Sequence, residues 1–274
     1  MTDVAEITLA SGTTLPLVGF GVFQVPPEAT TATVASAIEA GYRSFDTAAA
    51  YRNEAEVGAA LRASGLPREE LTVTTKLWNG DQGFDEALAA FDASAARLDL
   101  GYVDLYLIHW PAPARDRYVD SWRAMERLHA DGRARAIGVS NFTPAHLTRL
   151  MDETSVVPAV NQIELHPRLA QRELRAFHAK HGILTEAWSP LARGGVLAHP
   201  TVVEVAARHG VTPAQVVLRW HLQLGNRVIP RSVNPGRIRE NFALWGFALD
   251  DADMELIDGL DAGGRIGPDP DVLS

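Results

Sequence analysis

Along most of the chain, short apolar runs alternate with longer stretches in which apolar residues recur every three or four positions. Runs of the first kind cover 18–21, 43–48, 71–78, 103–110, 135–141, 159–164, 183–189 and 227–232 and predict strands. Between them, helical patterns lie at 27–40, 54–64, 84–98, 118–130, 143–152, 171–181, 201–209 with 213–223, and 235–244. Eight strand-then-helix units in succession predict a parallel sheet with right-handed crossovers, able to close on itself as a (β/α)8 TIM barrel. Ahead of the first unit, 6–9 and 13–17 flank Ser-Gly and read as a small β-hairpin. After the last, 251–260 predicts one more helix, and the Gly/Pro-rich end at 263–270 reads as a loop over one mouth of the barrel. No change of composition divides the run, so 1–274 is expected to form a single domain.

An open doubly wound sheet is the competing arrangement. The first strand, however, continues as Val18-Gly19-Phe20-Gly21-Val22-Phe23, with no third glycine opening a helix. A dinucleotide bound here would not use that phosphate loop. With 46% hydrophobic and 22% charged residues the composition is that of an ordinary globular protein. A net charge of −9, with no basic run, argues against nucleic acid as a partner. No cysteine is present, which removes disulfides, thiolate-bound zinc and thiol catalysis together. The first residues lack the basic and apolar regions of a signal peptide, and no stretch reaches the length of a membrane span. The expectation is a cytoplasmic protein with no membrane partner.

Chemistry concentrates at strand ends, where such barrels place their active sites. The run Arg43-Ser44-Phe45-Asp46 closes on a carboxylate, and a phenol, Tyr51, follows in the next loop. In 71–78, alternation puts Thr72, Thr74, Lys76 and Trp78 on one face and Leu71, Val73, Thr75 and Leu77 on the other. The second face suits helices, so Lys76 points into the barrel, where a buried ammonium needs a partner such as Asp46. The alternative for this pair is a purely structural ion bridge. His109 shares a face with Leu105 and Leu107 and ends its strand, either as a satisfied core histidine or as part of a site. Together the four make a coherent device. An ammonium beside a phenol favours the phenolate by roughly 4 kcal/mol at an effective dielectric of about 20, on the order of three pKa units. Tyr51 would then serve as acid in one direction and base in the other, with neutral His109 orienting a carbonyl oxygen. With no thiol or evident redox metal site, the electrons must come from a cofactor.

Later strand ends supply groups for one. Ser140, Asn141 and Gln162 could hydrogen-bond a planar amide, and Trp188, followed by Ser189 and Leu191, could stack on a ring. After the eighth strand come Arg231, Ser232 and Arg237, then Glu240 and Asn241. Two arginines beside a helix N-terminus suit a phosphate monoester. Each of these residues taken singly could equally be a solvated surface polar group.

Three stretches, 41–54 (GYRSFDTAAAYRNE), 125–142 (MERLHADGRARAIGVSNF) and 229–241 (IPRSVNPGRIREN), with TTKLW and YLIHWP between them, resemble the aldo-keto reductase family over nearly the whole chain. The resemblance is closest to bacterial members that reduce 2,5-diketo-D-gluconate and related small carbonyls. It implies a (β/α)8 barrel with an N-terminal hairpin and a catalytic tetrad of Asp46, Tyr51, Lys76 and His109. NADPH, with NADH a weaker alternative, would lie across the C-terminal face. Ser140, Asn141 and Gln162 would hold the carboxamide, Trp188 would stack on the nicotinamide, and Ser189 and Leu191 would flank the pyrophosphate. Arg231, Ser232 and Arg237 would grip the 2′-phosphate, with Glu240 and Asn241 near the adenine. Phe23, Trp78, His109, Trp110 and Ile266 would line the pocket of a small-molecule carbonyl substrate, and the family default is a monomer.

Two departures stand out. The lysine usual in the family's I-P-K-S stretch is Arg231 here, and the segment 112–118 and the tail are short, which implies a wide, unselective pocket. Retention of His109 favours carbonyl over carbon–carbon double-bond reduction. Competing functions are an NADPH-binding sensor barrel with little turnover, and a metal-dependent hydrolase using some of the nine histidines. Those histidines share no strand-end pattern, and His178 and His181 are expected to face solvent.

Overall fold

The computed structural model describes residues 5–10 and 12–273. The hairpin is β1 (Glu6–Thr8) and β2 (Thr14–Pro16), antiparallel with Ile7 opposite Leu15. Ser11 of the expected Ser-Gly pair, the first four residues and Ser274 lie outside the described residues.

The main sheet comprises β3 (Phe20–Gly21), β4 (Ser44–Asp46), β5 (Thr72–Leu77), β6 (Val103–Ile108), β7 (Ala134–Ser140), β8 (Val160–Glu164), β9 (Leu184–Trp188) and β10 (Arg227–Val228). Each pairs in parallel with its neighbour in chain order. The first and last strands meet as well: Gly19 N donates to Val228 O at 2.8 Å, Val228 N to Leu17 O at 3.0 Å, and Gly21 N to Pro230 O at 3.1 Å. The barrel is therefore closed. Its outer layer is α1 (Pro27–Ala40), α2 (Glu54–Ala63), α3 (Phe84–Leu98), α4 (Tyr118–Ala130), α5 (Pro144–Glu153), α6 (Arg172–His181), α7 (Pro200–His209), α8 (Pro213–Gln223) and α9 (Pro235–Phe242), with α10 (Asp251–Asp258) following.

Local chemistry sets these limits. Proline opens α1, α5, α7, α8 and α9, where its missing N–H costs nothing. Thr212 and Asn234 cap α8 and α9 with their side-chain oxygens. Gly41 ends α1 at φ 107°, and a Cβ there would come within 2.6 Å of the Phe242 ring. The last strand ends sooner than the expected 227–232, because Pro230 has no N–H to give to a ladder.

Strand parity separates two cores. Outward residues, among them Val73, Tyr106, Ile108, Ile137 and Val139, pack with the helices. Inward Leu105, Leu107, Ala136, Val160 and Leu184 pack with Leu9 and Leu15 of the hairpin, which fills the N-terminal mouth. That leaves the C-terminal mouth for polar groups.

The expectation for His178 is overturned. It is fully buried, with Nε2 and Nδ1 each 2.9 Å from Asn161 Nδ2 and Thr185 Oγ1, because these two residues take the outward parity of β8 and β9 beneath α6. His181 is half-buried, its ring centroid 4.4 Å from that of Phe177. Among the described residues, no helix is long and apolar enough to cross a membrane.

Candidate active site

Asp46 closes β4 and Lys76 lies near the end of β5, both inward and both buried. The neighbouring Thr75 points outward and donates to Glu54 at 2.6 Å, which fixes the parity of Lys76. Lys76 Nζ donates to Asp46 Oδ1 at 2.6 Å, to the Thr47 carbonyl at 2.9 Å and to the Tyr51 hydroxyl at 3.3 Å. Three donors thus meet three acceptors. Burial would lower the Lys76 pKa, but Asp46 and Tyr51 outweigh it and hold the group above the ordinary lysine value. Tyr51 ends a single 3₁₀ turn (Ala49–Tyr51) that Arg52 terminates at φ 58°.

The expected lowering of the Tyr51 pKa is not what the structure gives. Burial pushes the phenol up, and Lys76 pulls it back by less, with Asp46 also opposing ionisation. The pairwise attraction considered alone omits the cost of removing a phenolate from water. His109 is buried and held well below the usual histidine range, by desolvation first and by the Lys76 charge second. Its ring lies 5.5 Å from that of Tyr51 and 5.3 Å from that of Trp78, and no partner among the described residues reaches its Nδ1.

From these rings a cleft of about 1620 Å³ runs across the C-terminal face to the start of α9. Phe23, Trp78 and Trp110 line one end, and Ser140, Asn141, Gln162, Trp188, Ser189 and Leu191 the middle. Arg231, Ser232, Arg237, Glu240 and Asn241 line the far end. Ile266 is outside the lining: Glu164 accepts from its N–H at 2.7 Å and from that of Gly267 at 2.8 Å, and the tail presents Pro268 and Leu273 instead. The mid-cleft polar groups are fixed in place. Asn141 Nδ2 donates to the His109 carbonyl and to Ser140 Oγ, both at 3.0 Å, and Trp188 Nε1 donates to Asn141 Oδ1 at 2.8 Å. Gln162 Nε2 is turned into the barrel, so its carbonyl oxygen is free to accept from a ligand amide. Arg231 bridges the cleft, donating to the Gln24 carbonyl at 2.8 Å. An extended dinucleotide fits these features: an amide-reading centre, an indole beside it, and two arginines at a helix N-terminus.

Three buried groups escaped the sequence reading. Glu164 latches the tail. Glu186 accepts from Gln162 at 2.5 Å and is ion-paired with Arg227 on β10. Strand parity carried the signal for the last two, since Glu186 is two residues before Trp188 and Arg227 is a lone charge in a barrel strand. Among the described residues, no group of three or more His, Asp or Glu is placed to hold a metal.

A profile of the Aldo/keto reductase family matches residues 17–262. An aldo-keto reductase of Mycolicibacterium smegmatis is 58% identical over 265 residues, covering 97% of this chain and 96% of its own. The methylglyoxal reductase DkgA of Salmonella typhimurium is 51% identical over 273 residues, covering 99% and 98%. A crystal structure of a Gox0644 mutant in complex with NADPH superposes with a TM-score of 0.95 at 49% identity, covering 98% of each chain. The closed barrel with its polar cluster defines an oxidoreductase site built on strand ends. The chain belongs to the aldo/keto reductase family and is a carbonyl-reducing enzyme of that class.

Proposed function

We propose that this enzyme reduces small aldehydes and ketones to alcohols with NADPH, Tyr51 giving the proton. The observation that carries the reading is the Asp46–Lys76–Tyr51 chain, opening onto a cleft beside a neutral His109. When bound, the reduced nicotinamide supplies a hydride to the carbonyl carbon. Ser140, Asn141 and Gln162 would hold the cofactor's carboxamide, Trp188 would face its ring, and Ser189 and Leu191 would flank the pyrophosphate. Arg231, Ser232 and Arg237 would hold the 2′-phosphate, with Glu240 and Asn241 near the adenine. The His109 imidazole donates to the carbonyl oxygen and aims it at the Tyr51 hydroxyl. Tyr51, protonated at neutral pH, transfers its proton to that oxygen, and Lys76 stabilises the phenolate left behind. Asp46 and the Thr47 carbonyl hold Lys76 charged and in place.

The substrate end is walled by Phe23, Trp78 and Trp110, and the short 112–118 segment leaves it open. This favours compact carbonyls over one demanding substrate, with methylglyoxal and diketo-gluconate or related sugars the first to try. The relative named methylglyoxal reductase supports that choice. Tyr51→Phe is expected to lower NADPH-dependent turnover of an aldehyde panel by about 10²–10⁴-fold, with NADPH binding by fluorescence titration retained. Wild-type binding without oxidation of NADPH on any carbonyl would favour the sensor reading. An absence of binding would overturn the cofactor assignment.

A further inference from the structure

Beneath the Asp46–Lys76 pair, the barrel holds a second pair of opposite charges. Glu186 and Arg227 are register neighbours on β9 and β10, and both are 0% exposed. Besides its ion pair with Glu186, Arg227 donates Nε to the Pro16 carbonyl at 2.8 Å and Nη2 to Ser44 Oγ at 2.5 Å. Gly19 makes room for it, since a Cβ there would stand 2.9 Å from Arg227 Nη2. Burial pulls the guanidinium down to about 10, with the Asp46 charge acting against that fall. It remains a cation at neutral pH.

Gln162 joins the two pairs. Its Nε2 donates to Glu186 Oε1 at 2.5 Å and to Asp46 Oδ2 at 2.8 Å, one N–H for each carboxylate. The amide therefore cannot turn over without facing its oxygen to two anions. Along the row Arg227, Glu186, Asp46, Lys76 the charges are plus, minus, minus, plus, and they sum to zero. Neither Glu186 nor Arg227 lines the cleft. We propose that Glu186 and Arg227 are positioning residues for the carbonyl reduction, pinning the Gln162 amide for the cofactor and balancing the charge that Tyr51 feels. This rests on the reading of Tyr51 as proton donor and Gln162 as a carboxamide ligand.

The groups facing the Tyr51 hydroxyl are Lys76 from β5, Asp46 from β4 and neutral His109 beyond β6. Glu186 faces Arg227 and, across Gln162, Asp46. Glu54, also at the cleft, is tied to Arg97 and Thr75. In the reductive direction the high-pH limb of kcat reports loss of the Tyr51 proton. Glu186→Gln leaves Arg227 uncompensated and should move that limb down by about one pH unit, the order expected of one unbalanced charge at an effective dielectric of about 20. The double variant Glu186→Leu/Arg227→Leu keeps the charge sum and should keep the limb. It removes the second acceptor from Gln162, so the NADPH Kd by fluorescence should weaken about tenfold, while the melting temperature holds, as apolar replacement of buried ion pairs commonly allows.

Limb and Kd at wild-type values in both variants, with only the melting temperature changed, would reduce the pair to a structural one and overturn the proposal. If Glu186→Gln does not fold, the Kd of the double variant decides. Tyr51→Phe is measured alongside. Turnover by it at the wild-type rate would overturn the donor assignment itself, a failure distinct from an unmoved limb in enzymes that still need Tyr51.

Discussion

At the scale of single residues, the interior is governed by what burial does to charge. Lys76 stays cationic because three acceptors converge on it, whereas three buried histidines have no comparable anion and are kept neutral. Desolvation lowers His109 well below its ordinary value and takes His178 and His221 to about 3, the backbone carbonyl of Pro190 only partly offsetting this for His221. The sign of the linkage follows. Unfolded, each binds a proton below about pH 6.5, and folded it does not, so the unfolded state binds more protons and stability falls as the pH drops below that value. The limiting slope is about 1.4 kcal/mol per pH unit for each histidine, continuing towards the depressed folded values. Urea unfolding between neutral and mildly acidic pH should show this loss, and His178→Gln should remove one histidine's share of the slope, at most about 1.4 kcal/mol per pH unit. An unchanged slope in that variant would mean that His178 is protonated in the fold. Parity in the sequence was enough to aim Lys76 inward and to put His109 on one face with Leu105 and Leu107. The net rise of the Tyr51 pKa was not legible, because it depends on how completely neighbours from distant strands exclude water.

Among elements, what the sequence carries best is periodic structure and what it carries worst is the loop that touches it. Strand and helix limits follow from alternation, prolines and caps, and errors are confined to ends such as β10, where Pro230 stops the ladder. The tail was expected over a barrel mouth and is there, but its register was not readable. Glu164 sets that register by accepting from the backbone of Ile266 and Gly267, so Pro268 and Leu273 face the cleft where Ile266 was expected. At Gly267 the tail backbone passes so close to the indole that a Cβ would lie 2.4 Å from Trp188 Cη2 and 2.8 Å from Glu164 Oε2. Gly267→Ala must therefore displace the tail or the indole. Overpacking of this kind costs typically 1–3 kcal/mol, so the NADPH KM should rise about tenfold with kcat little changed. Steady-state kinetics check this; an unaltered KM would show that the tail can shift without disturbing Trp188.

For the molecule as a whole, the barrel assigns its two ends different tasks. The hairpin fills the N-terminal mouth with Leu9 and Leu15 against the inward leucines of β6 and β9. The C-terminal mouth carries the cleft, lined by Asp46, Tyr51, His109 and the groups proposed for the cofactor, with Lys76 bonded behind Asp46 and Tyr51. Substitutions at the two ends should therefore separate. Leu15→Ala removes a fully buried side chain far from the cleft and should cost about 2–5 kcal/mol of stability, with kcat and KM unchanged. Arg237 is an exposed residue in the first turn of α9, where Arg237→Ala should leave stability within about 0.5 kcal/mol of wild type. Loss of a charge-assisted contact with a 2′-phosphate, about 1.5–3 kcal/mol, should raise the NADPH KM by about tenfold to a hundredfold. NADH has no such phosphate, so its KM should not move, and added salt should narrow the gap between wild type and variant for NADPH alone. Denaturation paired with kinetics on both coenzymes tests each half. Equal losses for NADPH and NADH would remove Arg237 from the phosphate site, and a KM change in Leu15→Ala would show that the two ends of the barrel are coupled through its interior, along the row from Pro16 and Arg227 to Asp46.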